Sequence, residues 1–316
     1  MKSKYMNINR IEFVVTNECT GSCKHCQSGS DINKKCSHKH IISEHAVDVI
    51  EKLSSVFNIT SVMTFGGEPL IYSDVVSNIH AKATECNIDI RQIITNGFFT
   101  KDKNVSRKVA HELCDAGVNN LLISVDGLHQ EAIPIEPVYQ FIIDVIDAKI
   151  PNAFLYPAWV VNKNHSNQYN KKTKKVLMKF SDLPIPIKDN IIDLTGSAAK
   201  FLYEYYDIYP LNPEDSLLSE RCTGPANVTN ISINPNGDIV GCAGIIGNIY
   251  NEDILDIVKN YNPYEIESMS AIMNGGIAEL LDLANKQGIP FDITKYYTAC
   301  WDACNAITKC LHAKNA

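Results

Sequence analysis

Apolar and polar positions alternate along the first two thirds of the chain in two periods, one near two and one near 3.6. Arg10–Thr16 (RIEFVVT) predicts a buried strand, and Ser43 is expected to cap a helical pattern running to about Phe57. Thr60–Phe65, Asp89–Thr95, Leu121–Val125, Phe154–Val161 and Ile187–Leu194 predict five further strands. Helical patterns fall between them at Asp74–Cys86, Val105–Asp115, Pro137–Ala148 and up to about Phe180, with Gly117 placed to end one of them. Six repeats of strand and helix imply a parallel α/β sheet with right-handed crossovers. Six units are too few for a closed eight-stranded barrel, so the expected fold is a partial (β/α)6 TIM-like barrel. Its site is expected at the C-terminal ends of the strands. Those ends carry TNECTGSC, GGEP, TNG and DG.

The pattern changes after about residue 200. Asn230–Cys242 predicts a β-hairpin around Asn234-Pro235-Asn236-Gly237, where glycine supplies a positive φ. Helical residues follow from about Asp253 to Gln287. The expected division is a barrel over residues 1–205 and a smaller hairpin-plus-helix unit over 206–316.

Composition narrows the function. The 316 residues are 45% hydrophobic with a net charge of −7, which supports a globular core and disfavours a protein gripping nucleic-acid phosphates. The dense basic run at Lys171, Lys172, Lys174 and Lys175 reads as a solvated helix face. Residues Met1–Arg10 lack the apolar core of a signal peptide, and no stretch approaches a membrane span, so a cytoplasmic protein is expected. Eleven cysteines in a reducing compartment point to metal or redox chemistry rather than disulfides.

Cys19, Cys23 and Cys26 lie in the loop after the first strand. Three thiolates in eight residues can wrap one face of an iron–sulfur cubane and leave its fourth iron open. Spacing alone also permits zinc, with His25 or His38 as fourth ligand.

CTGSCKHC resembles the CxxxCxxC signature of the radical SAM superfamily, and Gly66-Gly67-Glu68-Pro69 after the second strand matches that family's GGEP segment. The resemblance implies a 4Fe–4S cluster on Cys19, Cys23 and Cys26 that cleaves S-adenosylmethionine (SAM) to a 5′-deoxyadenosyl radical. It implies that Gly66, Gly67, Glu68 and Pro69 bind the SAM ammonium group. Ser124 and Asp126 would lie near the ribose; Asn162 and Thr195-Gly196-Ser197 are further candidates at strand ends. An oxygen-sensitive enzyme of an anaerobic bacterium, fed by an electron donor such as flavodoxin or ferredoxin, is implied too.

Cys222-x14-Gly237-x4-Cys242 resembles the opening of the SPASM and twitch extensions, which carry auxiliary iron–sulfur clusters. With Cys300, Cys304 and Cys310 downstream, the resemblance implies one auxiliary 4Fe–4S cluster on Cys222, Cys242, Cys300 and Cys304. Structural zinc on the same four thiols is the alternative. Cys86 and Cys114 read as small buried helix residues.

Such enzymes mostly modify peptides, and the run from GSAAK through Cys222 to the last cysteines resembles epipeptide-type peptide epimerases. The expected substrate is a ribosomally made precursor peptide whose residues pass from L to D. The cluster motif begins at residue 19, so no N-terminal leader-binding domain is expected and the peptide should meet the barrel mouth directly. Those epimerases carry a hydrogen-donating cysteine directly after the hairpin ligand, where this chain has Ala243. Cys310 and Cys36 are the alternative donors. Thioether or carbon crosslinking, a protein-activating maturase and a non-catalytic zinc-stabilised binding protein complete the alternatives.

Overall fold

The computed structural model describes residues 2–29, 32–33, 36–242 and 244–315, with side chains up to 312. Among the described residues there are ten strands: β1 (Met6–Val14), β2 (Ser61–Phe65), β3 (Ile90–Thr95), β4 (Asn120–Ile123), β5 (Ala153–Leu155), β6 (Ala158–Trp159), β7 (Asn190–Ile191), β8 (Val228–Ile233), β9 (Asp238–Gly241) and β10 (Gly244–Asn248). The helices are α1 (Ser43–Val56), α2 (Ser73–Glu85), α3 (Lys103–Asp115), α4 (Ile135–Asp147), α5 (Gln168–Met178), α6 (Gly196–Phe201), α7 (Ile254–Asn260), α8 (Glu267–Lys286) and α9 (Asn305–Asn315). Ser43 is the first helical residue of α1 rather than its cap, and Ile42 precedes it with no side-chain cap bond.

Eight strands form one open sheet in the order β10-β9-β8-β1-β2-β3-β4-β5. β1 to β5 are parallel, so their C-terminal ends share one rim. The helices cover one face through alternate residues. Ile11, Phe13 and Val15 from the first strand region, Val62 from β2 and Ile93 from β3 are buried with Val76 and Ile79 of α2. The opposite face carries polar residues near the strand starts. Arg10 donates to Glu12 at 2.6 Å, to Ser61 at 2.8 Å and to Gln92 at 3.0 Å.

Two expected strands are shorter than their apolar pattern. The stretch from Phe154 is broken after Leu155 by Tyr156-Pro157, since proline cannot donate to a ladder. The chain then turns away and Ala158–Trp159 pairs in parallel with Asn190–Ile191 as a separate two-stranded sheet. Leu155 bridges Ile187, and Val161 holds a positive φ of 66° where this small sheet ends.

The C-terminal hairpin extends the main sheet. β8 lies parallel to β1, with Ile11 opposite Ile231 and Phe13 opposite Ile233. β9 and β10 then run antiparallel beyond it; β10 is a strand that the alternation did not reveal. Gly237 takes φ 86° at the hairpin turn, and a Cβ there would meet the Tyr250 ring at 2.6 Å.

His80 on α2 is fully buried, with Nε2 2.9 Å from Thr64 Oγ1 and Nδ1 without a partner. Burial, with Arg91 adding to it, pushes its pKa down to about 3. The fold therefore holds His80 neutral, and the unfolded chain binds the extra proton as pH falls below the unfolded value. Stability contributed by the neutral ring is full above about pH 6.5 and is lost towards pH 3. The advantage of the native chain over a His80→Gln variant should shrink by about 1.4 kcal/mol between pH 7.5 and pH 5.5 in anaerobic urea unfolding. A constant difference would exclude this account.

Candidate active site at the strand ends

The loop that leaves β1 carries Cys19, Cys23 and Cys26, and two other strand ends hold it by main-chain contacts. From the end of β2, Gly67 N donates to Thr16 O at 2.7 Å and Glu68 N to Glu18 O at 2.8 Å. A Cβ on Gly67 would stand 2.1 Å from Glu18 O, and one on Gly66 2.4 Å from Thr16 O. The two glycines are therefore required by the approach of the cysteine loop's own backbone. On the far side, Ser197 N donates to Cys26 O at 2.9 Å, and a Cβ on Gly196 would meet Gln27 O at 2.3 Å. Lys24 joins Glu131, which also pairs with Lys172 of the basic run.

The Glu68 carboxylate is fully buried and its oxygens serve the protein. It accepts from Leu70 N at 3.0 Å, Thr95 Oγ1 at 2.6 Å and Asn96 N at 2.7 Å, tying the end of β2 to that of β3. Burial raises its pKa to about 7 against the pull of these donors. Pro69 opens the short helical turn Pro69–Tyr72.

The three thiols sense one another. Burial, with the neighbouring Cys26 and Glu68 adding to it, pushes the Cys19 thiol up to about 11. Cys23 is raised further, by burial first and then by Asp126, Cys19 and Cys26. Gly21 N points at Cys19 Sγ at 3.3 Å and Asn96 Nδ2 lies at 3.7 Å from it. Buried thiols are poor free thiolates, so a set of three with N–H donors aimed at the sulfur suits ligation by a cationic centre. Thiolate donors of this kind fit an iron–sulfur cluster.

Beyond β4, Ser124 is buried and its N donates to Thr95 O at 2.8 Å. Asp126 is fully buried beside Cys23 and accepts from Leu128 N, His129 N and Ala158 N. His129 Nδ1 lies 2.6 Å from its Oδ2, and the His129 ring meets His25 edge-on at 4.5 Å. Burial works to raise the Asp126 pKa, but His129 outweighs it and holds the carboxyl below the usual range. Burial lowers His25 to about 4, so its ring is neutral; its Nδ1 has no partner. Sequence reading singled out Asp126 and missed His129, whose three-residue spacing from Asp126 is the one available signal. Asn162 stands apart: it is exposed, and its carbonyl oxygen caps its own turn at Asn164 N and His165 N.

A second thiol set gathers Cys222, Cys242, Cys300 and Cys304. β9 runs back from the rim, so Cys242 at its end lies towards the strand starts. A Cβ on Gly224 would be 2.8 Å from Cys242 Sγ and 3.4 Å from Cys222 Sγ, so glycine makes the space where these two thiols meet. Burial raises Cys242, and Cys222, Cys304 and Cys300 add to the shift. Burial pushes Cys304 up to about 12, with Cys300 and Cys222 contributing. Cys300 and Cys304 come from one π-helical stretch, Ala299–Cys304. The approach to Cys222 crosses a break in α8, where Gly276 takes φ 63° beneath the carbonyls of Leu218 and Glu220.

Cys310 is exposed on α9 and is sensed by Tyr296; Cys36 lies beside Tyr250. Neither contributes to the shifts within the four-thiol set. Cys86 and Cys114 pack against the core. Ala243 lies outside the described residues.

Glu68→Ala leaves three donors without their acceptor and should lower the unfolding free energy by at least about 3 kcal/mol. Glu68→Gln keeps one acceptor oxygen and should lose less. Equal stabilities of Glu68→Ala and the native chain in anaerobic denaturant titration would contradict the carboxylate's place as the tie between β2 and β3.

In sequence, the chain is 30% identical over 133 residues to a probable GTP 3′,8-cyclase of Methanocaldococcus jannaschii, covering 42% of this chain and 41% of that one. It is 28% identical over 210 residues to the GTP 3′,8-cyclase of Syntrophomonas wolfei, covering 65% of this chain and 54% of that one. The matches therefore span about half of these relatives or less. In structure it resembles anSMEcpe with bound AdoMet, with a TM-score of 0.53, 11% identity and 97% of each chain covered, a likeness of fold. The family model of the Radical SAM superfamily matches residues 13–197, which include the cysteine loop, the GGEP segment and strands β2 to β7, and the chain therefore belongs to the radical SAM superfamily.

Proposed function

We propose that this radical SAM enzyme abstracts a hydrogen atom from a residue of a ribosomally made peptide. The carrying observation is the gathering of Cys222, Cys242, Cys300 and Cys304 into one set, with Cys304 buried, Cys222 and Cys242 half-buried and Cys300 exposed. Four thiols can fill every ligand position of an auxiliary 4Fe–4S cluster and leave Cys310 free.

The family implies a 4Fe–4S cluster and SAM, which together supply a 5′-deoxyadenosyl radical when bound. In this reading Cys19, Cys23 and Cys26 hold the cluster. The buried Glu68 fixes the Gly66-Gly67 backbone beside the loop, so main-chain groups of that segment are left to meet the SAM ammonium. Ser124 and the Asp126–His129 pair form the neighbouring wall, and the edge contact of His129 with His25 braces the loop between Cys23 and Cys26. An extended peptide can meet the barrel mouth at the strand ends; the outer edge of β5 is itself taken by residues 186–188, where Leu155 N donates to Pro186 O and Lys188 N to Leu155 O. The proposed setting is an anaerobic cytoplasm with a flavodoxin or ferredoxin as electron donor; among the described residues, no helix is long and apolar enough to cross a membrane.

The cyclase relatives favour a second reading, GTP as substrate. A triphosphate calls for several cationic side chains, arginine above all. The chain has four arginines. Arg10 lies among the strand starts, Arg91 binds the carbonyls of Gly117 and Ile88, and Arg107 of α3 pairs with Asp147 of α4. Only Arg221 adjoins a proposed cluster ligand, and this favours the peptide.

Epimerisation stands slightly ahead of crosslinking and requires a thiol to return a hydrogen atom. Cys36, on the loop that continues from the cysteine motif, and Cys310 are the proposed donors.

Anaerobic reconstitution should load about eight irons per chain and give 5′-deoxyadenosine from SAM and dithionite. Cys19→Ala should abolish that product, and Cys300→Ala should reduce the iron to about four per chain. Four irons or fewer in the native chain would remove the auxiliary cluster from this account. With the peptide encoded beside the gene, reaction in D2O should add about one mass unit per residue, the deuterium delivered by an exchangeable thiol. Loss of two hydrogens would replace epimerisation by crosslinking. Conversion of GTP to a cyclised nucleotide would overturn the peptide reading.

A further inference from the structure

The basic run falls on α5, whose sequence QYNKKTKKVLM holds four lysines and no carboxylate, with Lys179 as its C-cap. By contrast, α1, α2, α3 and α8 each set a carboxylate one turn from a lysine, in Lys52–Asp48, Lys82–Glu85, Lys108–Glu112 and Lys286–Asp282. Tyr169, Asn170 and Thr173 fill the buried face of α5. Lys171, Lys174, Lys175 and Met178 follow the spacing i, i+3, i+4, i+7, which puts them on one outer stripe that Lys179 continues. The lysines of this stripe are exposed without an ion pair among the described residues, and Met178 is 73% exposed. Like charges one turn apart destabilise a helix, so the fold keeps the stripe against its own stability.

The stripe stands beside the first thiol set. A Cβ on Gly127 would meet Lys172 Cβ at 2.6 Å and Tyr169 O at 2.9 Å, so α5 rests directly on the turn that follows Asp126. Gly127 N donates to Thr173 Oγ1 at 2.9 Å. Glu131 joins Lys172 at 2.6 Å to Lys24 at 3.0 Å, and Lys24 lies between Cys23 and Cys26. The ammonium groups of Lys24 and Lys172 also lie over the Tyr169 ring, at 5.6 and 5.8 Å from its centroid. A protein seated on α5 is therefore seated against the loop of the three thiols.

We infer that the lysine stripe of α5 is the docking surface of an acidic one-electron-transfer protein. Charge and place both point to this occupant. The chain carries a net charge of −7, so an acidic partner is repelled over most of the surface and drawn to the stripe. A charged, exposed face with one apolar anchor, Met178, suits the small and short-lived contacts of electron-transfer pairs rather than a permanent interface. The donor gives up one electron and is oxidised by one; reductive cleavage of SAM to methionine and the 5′-deoxyadenosyl radical consumes that electron. This use of the electron rests on the proposed function, while the docking rests on the stripe itself.

The test uses the reconstituted full chain with an acidic flavodoxin, reduced by its reductase, and with dithionite as the small-molecule comparison. Lys174→Glu/Lys175→Glu should lower flavodoxin-driven 5′-deoxyadenosine formation by about ten-fold and leave the dithionite-driven rate unchanged. Lys101→Glu/Lys103→Glu makes the same change of net charge at exposed lysines at the start of α3, and should keep both rates within about two-fold of native. Anisotropy of labelled flavodoxin with the iron-free chain should show weaker binding to the α5 variant, a difference that shrinks between about 0.05 M and about 0.5 M salt. Native flavodoxin-driven rates in the α5 variant would overturn the docking surface, as would an equal loss with dithionite, which marks damage to the fold or the chemistry. Binding of single-stranded RNA to the native chain with none of flavodoxin would overturn it too. Binding that weakens as expected, in a chain that yields no 5′-deoxyadenosine with either reductant, would refute the proposed function and leave the docking surface standing.

Discussion

The backbone of the cysteine loop has to be satisfied by protein before any ligand reaches its thiols. An irregular loop exposes N–H and C=O groups that cannot be left unpaired beside a core. Here the partners come from the ends of other strands: Gly67 and Glu68 on one side, Ser197 on the other. Each contact needs a backbone approach that excludes a side chain, which is why Gly67 and Gly196 stand where they do. The rest follows from that requirement. Glu68 must be buried to hold the Gly66-Gly67 turn against β3, and α6 must have its own small core to present Gly196 and Ser197.

The electrostatics of the site have the same origin. Burial alone would neutralise every group, and it raises Cys19, Cys23 and Glu68. Asp126 escapes because His129 sits 2.6 Å away and three backbone amides point at it. The wall beside the thiols therefore keeps a fixed anion next to raised, neutral thiols. That charge disfavours thiolates in the free chain and leaves ligation as the means of deprotonating them.

Much of this was legible in residues alone. The two periodicities separate β1 to β4 and their helices because each strand is buried by alternation against a helix. The three cysteines and GGEP are local in sequence, and their family likeness is borne out by the family match. The fold brings Cys222, Cys242, Cys300 and Cys304 near one another, and the ligand they would share belongs to the proposed function. What alternation does not encode is pairing partner and direction. The parallel docking of β8 on β1 depends on contacts across more than two hundred residues, whereas β10 pairs locally with β9 through a glycine-rich run that alternation does not mark. The break at Tyr156-Pro157 was hidden by the apolar run around it. The role of Glu68 was obscured in another way: a motif known for contact with a ligand also serves the fold, and only the partners of its oxygens separate the two.

The pairing of β1 with β8 also bears on how the chain reaches this state. β1 emerges before β2 to β5, and one of its two neighbours, Val228–Ile233, emerges more than two hundred residues after it. During synthesis the β2 side can zip up through short βα units, while the other edge of β1 waits with unpaired main-chain groups. An open edge of that kind templates association with other chains. The segment that carries β8 thus acts as an edge guard as well as a carrier of thiols, and it ties completion of the sheet to the emergence of β8.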